Sequence, residues 1–148
     1  IYMYKALKYH RKEKTKMTRN EAREILMQMM YEMDTAKNMN KEAASLLAEE
    51  RLAGNHIERG KALLINIIDN LDAIDEEINK FSKSWKTNRM PKVDLAVIRL
   101  AVGEMKYAED VPDAVAINEA INLAKKYSTD QSSRYVHGVL GAIAKNNG

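Results

Sequence analysis

The chain has 148 residues, with 24 Lys or Arg against 21 Asp or Glu, six glycines, two prolines and no cysteine. That length suits one domain burying roughly 70% of the surface its unfolded form exposes, and the absence of cysteine excludes disulfide frameworks, thiolate catalysis and cysteine-ligated zinc. No run approaches the ~18 apolar residues of a membrane span, and the start lacks the apolar core of a secretory signal. A soluble, cytoplasmic protein without membrane association is expected. Abundant Ala, Leu, Ile, Met, Lys and Glu, with no sustained alternation of period two, point to an all-α fold.

Residues 1–16, "IYMYKALKYHRKEKTK", hold six Lys or Arg against one Glu. Of the formal net charge of +3 this arm carries +5, leaving −2 for the rest, so a nucleic-acid site in the body must be a local patch. The arm is either native or an upstream addition. Thr18 and Glu21 have capping-box spacing and open a helix whose apolar residues, Ala22, Ile25, Leu26, Met29, Met30 and Met33, share one face. A second helix is expected from Lys41 to Leu52, capped by Asn40 and stopped by Gly54. Asn55 to Glu58 repeats the cap spacing and opens one long, central helix whose stripe runs from Ile57 through Leu64, Ile67, Ile68, Leu71, Ile74 and Ile78 to Phe81.

Pro91 breaks the pattern, because it lacks a backbone donor and disfavours helix at Met90. Helix resumes near Val93 with Leu95, Val97, Ile98, Ala101, Val102 and Met105 inward. Pro112 marks the next restart with Asp113 as its cap, and Val115, Ile117, Ala120, Ile121, Ala124 and Tyr127 face the core. "STDQSS" (128–133) reads as a loop before a last helix that buries Val136, Val139, Leu140 and Ile143. With no internal repeat, residues 17–148 form a compact helical bundle of about seven helices behind the arm.

Little in this chain suggests catalysis. His10, His56 and His137 are scattered, with no pair at helical spacing for a metal, and the carboxylates of "DNLDAIDEE" (69–77) read as the solvated face opposite an apolar stripe. There is no glycine-rich phosphate loop and no nucleophile motif. A non-enzymatic protein without cofactor or metal is expected.

Two stretches suit RNA instead. In "SSRYVHGVL" (132–140), Arg134, Tyr135 and His137 spread over the outer arc of a helix start, where a ring can stack a base and a cation can meet a phosphate. Gly138 allows close approach of a neighbouring helix. Half-buried Tyr135 beside a solvated Arg134 is the alternative, and spacing leaves both open. On the first helix Arg19 and Arg23 lie four apart, a guanidinium pair suited to phosphates, with Gln28 adding an amide; ordinary solvated surface diluted by Glu21 and Glu24 is again the alternative.

Taken together, "RNEAREILMQMMY" (19–31), "VDLAVIRLAVGEM" (93–105), "VPDAVAINEAINLAKKY" (111–127) and "RYVHGVL" (134–140), in that order, resemble the NusB family of bacterial transcription antitermination factors. The resemblance covers Met17 to about Ala144. It implies an all-helical fold of two packed three- or four-helix halves. It also implies binding of the single-stranded boxA element of ribosomal RNA leader transcripts together with the small-subunit ribosomal protein NusE, within an RNA polymerase antitermination complex. By the same resemblance the RNA-binding residues are Arg19, Arg23, Gln28 and Tyr31 on the first helix, with Arg134 and Tyr135 on the last. Asn20 and Glu21 stand where many relatives carry arginines, and His137 replaces the usual Asn. The partner surface falls on Phe81, Trp85 and Asp94, where an exposed aromatic beside a carboxylate makes an anchor; Trp85 plugging the join between the halves is the alternative. Asn118 and Glu119 organise packing. Two further readings stay open: the RNA-binding module of a ribosomal RNA cytosine methyltransferase, disfavoured by a chain ending in "AKNNG" with no cofactor domain, and a helical homodimer whose RNA face is buried.

Overall fold

A computed structural model describes residues 16–147. The basic arm therefore lies, Lys16 apart, outside the described residues. Helix α1 (Arg19–Thr35) starts as the capping box requires: the Glu21 amide donates to Thr18 Oγ1 at 3.1 Å, and the Thr18 amide donates to Glu21 Oε1 at 3.2 Å. Helix α2 (Lys41–Arg51) is capped by Asn40, whose Oδ1 accepts from the Ala43 amide at 2.8 Å. Gly54, at φ 58°, takes the left-handed turn into α3 (His56–Asp69). There follow α4 (Leu71–Phe81), α5 (Lys92–Tyr107), α6 (Asp113–Tyr127) and α7 (Asp130–Asn147). Among the described residues there are seven helices and no strand, the all-α architecture expected from the sequence.

Several local expectations are corrected. The single long helix of 55–81 is two, because Asn70 adopts φ −118° and its side-chain amide donates to the Asn66 carbonyl at 2.8 Å, competing with the helical ladder. Asn55 makes no side-chain cap; its backbone is already helical, and the turn is closed from His56 N to Ala53 O at 3.1 Å. The central helix is α5, buried on every side from Asp94 to Glu104, as a helix apolar almost all round must be. Asp113 is the first residue of α6 and not its cap, and the α6 stripe is rotated so that Ala116, Ala120, Leu123 and Ala124 are buried while Val115 stays 43% exposed. The "STDQSS" loop shrinks to Ser128 and Thr129, with Thr129 Oγ1 accepting from the Ser132 amide at 3.0 Å. A Cβ on Gly138 would meet nothing within 4 Å, so no helix approaches there. The carboxylates of 69–77 are only partly solvated, since Asp75 and Glu77 reach Arg99 and Lys106 of α5 at 2.6 and 2.9 Å.

Helices α1, α2 and α3 pack on one another, α4, α6 and α7 gather on the other side, and α5 touches both groups. The core expected of α1 and α7 is buried as expected, from Ala22 through Met33 and from Val136 through Ile143. Ion pairs fasten these layers, one fully buried, Arg23 to Glu104 between α1 and α5, and two with a buried arginine and a partly exposed carboxylate, Arg51 to Glu32 between α2 and α1 and Arg99 to Asp75 between α5 and α4. The α3 and α5 backbones approach at Gly103, where a Cβ would collide with Ile67.

Candidate nucleic-acid interface

The residues singled out from the sequence fall into two clusters at opposite ends of α5. At its start, Asp94 is wholly buried and accepts from Ser132 Oγ at 2.9 Å. Next to it Tyr135 is half-buried on α7, its hydroxyl paired with Ser82 Oγ and within 3.4 Å of the Trp85 carbonyl. The Trp85 ring stands edge-on to Tyr135, with centroids 5.6 Å apart and planes at 67°. Burial pushes the Tyr135 phenol above its ordinary value; the Ser82 hydrogen bond opposes this and the Asp94 charge adds to it. The phenol is therefore a neutral donor at any physiological pH.

Trp85 is 43% exposed and does not plug the join between the halves. Arg134 is exposed, with His137 and Gly138 beside it on the same arc. Phe81 is half-buried under Lys80, whose ammonium lies 5.5 Å from its ring centroid. Tyr135, placed by resemblance in an RNA site, and Trp85 and Asp94, placed in a protein site, thus belong to one connected cluster. Asp94 is enclosed and reaches the surface only through Ser132, which corrects its expected place as part of an exposed anchor.

About ten residues along α5, or roughly 15 Å at 1.5 Å per residue, the second cluster surrounds Arg19 and Arg23. The expected guanidinium pair is not an open patch. Arg23 is 7% exposed; its Nε and Nη2 donate to Glu104 at 2.9 to 3.1 Å and its Nη1 donates to Asn20 at 2.8 Å. Arg19 is exposed but meets Asp110 at 2.6 Å, and Asp110 also receives Arg59 at 2.9 Å. Burial would raise the Asp110 carboxyl, yet Arg59 and Arg19 outweigh it and hold it below the usual carboxylate range. These groups ring a cavity of about 420 Å³ floored by Ala22, Leu26 and Leu63. Three arginines, Arg19, Arg23 and Arg59, face three carboxylates, Glu104, Glu109 and Asp110, so its mouth has no net cationic field. Gln28 is enclosed and donates to the Tyr127 hydroxyl at 3.1 Å, and Tyr31 packs partly buried against the core. Tyr127 in turn donates to Glu24, and burial with that carboxylate pushes its phenol well above its ordinary value. Of the six expected RNA residues, Arg19 and Arg134 are exposed and Tyr135 and Tyr31 are half-buried, whereas Arg23 and Gln28 serve the interior.

The described residues thus present one aromatic cluster at the surface on a helical frame with no strand. Residues 20–145 match the model of the NusB family. The chain belongs to the NusB family. A transcription antitermination protein NusB from Thermoanaerobacter sp. (strain X514) is 38% identical over 132 residues, covering 89% of this chain and 94% of that one. The solved structure of T. maritima NusB superposes with a TM-score of 0.80 at 30% identity, covering 88% of this chain and 92% of that one. A solved complex of the antitermination factors NusB and NusE with double-stranded RNA holds a chain similar to this one, with a TM-score of 0.75 at 25% identity over 86% of this chain and 96% of that one. These relatives are named for antitermination and not for a catalysed reaction, in keeping with the non-enzymatic reading of the sequence.

Sequence spacing gave no sign of Ser82, Glu104 or Asp110, each of which sets the placement of a residue that was singled out. Ser82 lies 53 residues from Tyr135 and Glu104 lies 81 from Arg23, so no local pattern joins them. A charge count in a short window would have flagged the segment between Glu77 and Asp94, which carries five Lys or Arg and no acid.

Proposed function

We propose that this NusB-family protein is a non-enzymatic RNA-binding antitermination factor that engages boxA-type RNA of ribosomal leader transcripts jointly with the ribosomal protein NusE, in an elongating RNA polymerase complex. The observation that carries this reading is the extended likeness, over 86% of the chain, to a NusB solved with NusE and RNA. The geometry supports it at Tyr135, where a half-buried ring fixed through its hydroxyl, with exposed Arg134 beside it, offers a stacking face next to a cation. Arg19 adds a cation that must leave Asp110 to meet a phosphate, while Arg23, Gln28 and Tyr31 hold α1 in place beneath it. The partner surface is centred on Phe81 at the end of α4, and Asp94 shapes it from beneath through Ser132.

A body near neutrality binds RNA weakly by charge alone, so the partner supplies affinity. The test is equilibrium binding of a boxA-type single-stranded RNA and a scrambled control, with and without the ribosomal protein, at two salt concentrations. Tighter and sequence-selective binding with the partner is expected. Equal, salt-sensitive binding of both RNAs, unaffected by the partner, would overturn it.

A further inference from the structure

The segment from Ile78 to Val93 carries Lys80, Lys83, Lys86, Arg89 and Lys92 with no carboxylate, in a chain whose positive and negative side chains number 24 and 21 overall. Its backbone is held from within. Thr87 N donates to Asn79 Oδ1 at 2.8 Å, Lys86 Nζ donates to the Asn79 carbonyl at 2.8 Å, and Arg89 N donates to the Lys86 carbonyl at 2.9 Å. Ser82, Thr87 and Met90 are buried, so this is an anchored loop whose core-facing positions are already filled. Trp85, the chain's single tryptophan, stays 43% exposed on it, edge-on to Tyr135. Trp is ordinarily among the more buried side chains. Lys92 pairs with Asp34 at 3.4 Å, Lys86 is spent on backbone carbonyls and Lys80 lies over Phe81, which leaves Lys83 and Arg89 to meet phosphates beside an exposed aromatic ring, the makeup of a single-strand platform.

We infer that the loop between α4 and α5, residues 82–91, is an RNA contact of this protein in its own right, with Trp85 extending the Tyr135 stacking face and Lys83 and Arg89 neutralising phosphates of a single strand. This rests on the RNA-binding reading above and reassigns Trp85 from protein anchor to RNA. An acidic protein surface would also suit the charge, but a protein anchor calls for a ring sunk among apolar neighbours with its charges at the rim; here the ring is 43% exposed, stands against Tyr135, and is followed and preceded in sequence by lysines.

The test uses the full chain with a short fluorescein-labelled oligouridylate, following label anisotropy and Trp85 emission together, then repeats the titration with Lys83→Gln/Arg89→Gln and, in separate arms, titrates the unaltered chain with boxA RNA and with the ribosomal protein alone. The expected result is binding by anisotropy, quenching of Trp85 over the same concentration range, and a log–log salt slope shallower by about 1.4 in the double variant, as two lost single-strand phosphate contacts require. Binding with unchanged Trp85 emission and an unchanged slope overturns the inference and leaves the antitermination reading intact. Quenching of Trp85 by the ribosomal protein but not by RNA overturns it in favour of the protein anchor. Absence of oligouridylate binding overturns the inference alone, because the antitermination reading rests on boxA RNA bound jointly with the ribosomal protein. Binding of oligouridylate as tight as boxA RNA, with the slope change present, sinks only the boxA preference.

Discussion

Arg23 lies across both carboxylate oxygens of Glu104, with Nε at 2.9 and 3.1 Å and Nη2 at 2.9 Å, inside the contact between α1 and α5. Both side chains are nearly enclosed, so cutting Arg23 back strands a buried carboxylate, a change that typically costs about 3–5 kcal/mol. Arg23→Ala should lower unfolding free energy by about that much in urea denaturation. Arg23→Met combined with Glu104→Leu should recover most of the loss, since no unpaired charge remains. The salt slope of RNA binding by the folded variants should not change. Unaltered stability with a slope shallower by about 0.7 would instead put this guanidinium on a phosphate.

Tyr135 has two duties that separate by substitution. Its hydroxyl meets Ser82 and approaches the Trp85 carbonyl, while its ring packs on Trp85. Tyr135→Phe loses the hydrogen bonds but keeps the ring, and should cost about 0.5–1.5 kcal/mol of stability with RNA affinity nearly intact. Tyr135→Leu keeps bulk but removes the aromatic face, and should cost about 1–3 kcal/mol of RNA binding. Calorimetric melting and RNA titration of both variants check this, and equal RNA loss for Phe and Leu would show that the hydroxyl and not the ring matters.

How far the sequence could be read follows from the range of the interactions. Thr18 with Glu21 and Asn40 with Ala43 are contacts three residues apart, and the stripe from Val136 to Ile143 is a local period, so caps and apolar faces were legible. Arg19 and Arg23 do share a side of α1, but whether that side meets solvent or a carboxylate depends on Glu104 and Asp110, 81 and 91 residues away. The α3–α4 break was hidden for a different reason: the apolar stripe runs on through it, and the interruption comes from one amide of Asn70. The central place of α5 was masked by Arg99 and Glu104, charged residues on an otherwise apolar helix that are buried through Asp75 and Arg23.

Asp110 makes the cavity mouth sensitive to acid. Arg59 and Arg19 hold its carboxyl below the ordinary value of 3.8, so the clamp's contribution is complete above that value and is lost as pH falls through the lowered one. Asp110→Asn should show a shallower fall of melting temperature than the unaltered protein across the acid limb below the usual carboxylate range, with the two curves parallel above pH 5. Parallel curves throughout would mean that the clamp is equally present in the unfolded chain.

Gly103 and Gly60 both sit where helices meet, but they face different neighbours. A Cβ on Gly103 would collide with Cγ1 and Cδ1 of Ile67, a β-branched and fully buried side chain with little rotamer freedom. A Cβ on Gly60 would collide with one terminal methyl of Leu52, which can swing aside, and would lie 3.2 Å from Leu26 Cδ2. Overpacking costs about 1–3 kcal/mol, set against the ~1 kcal/mol that Ala gains over Gly in a helix. Gly103→Ala should therefore destabilise clearly and Gly60→Ala less. Gly138→Ala, in open space, should stabilise by up to ~1 kcal/mol. Combining Gly103→Ala with Ile67→Ala should cost less than the sum of the two, because the added methyl occupies part of the space the shortened side chain vacates, a coupling of about 0.5–3 kcal/mol. Strict additivity in urea denaturation would show that α3 and α5 separate to accept the methyl, and that their close approach is not fixed by this contact.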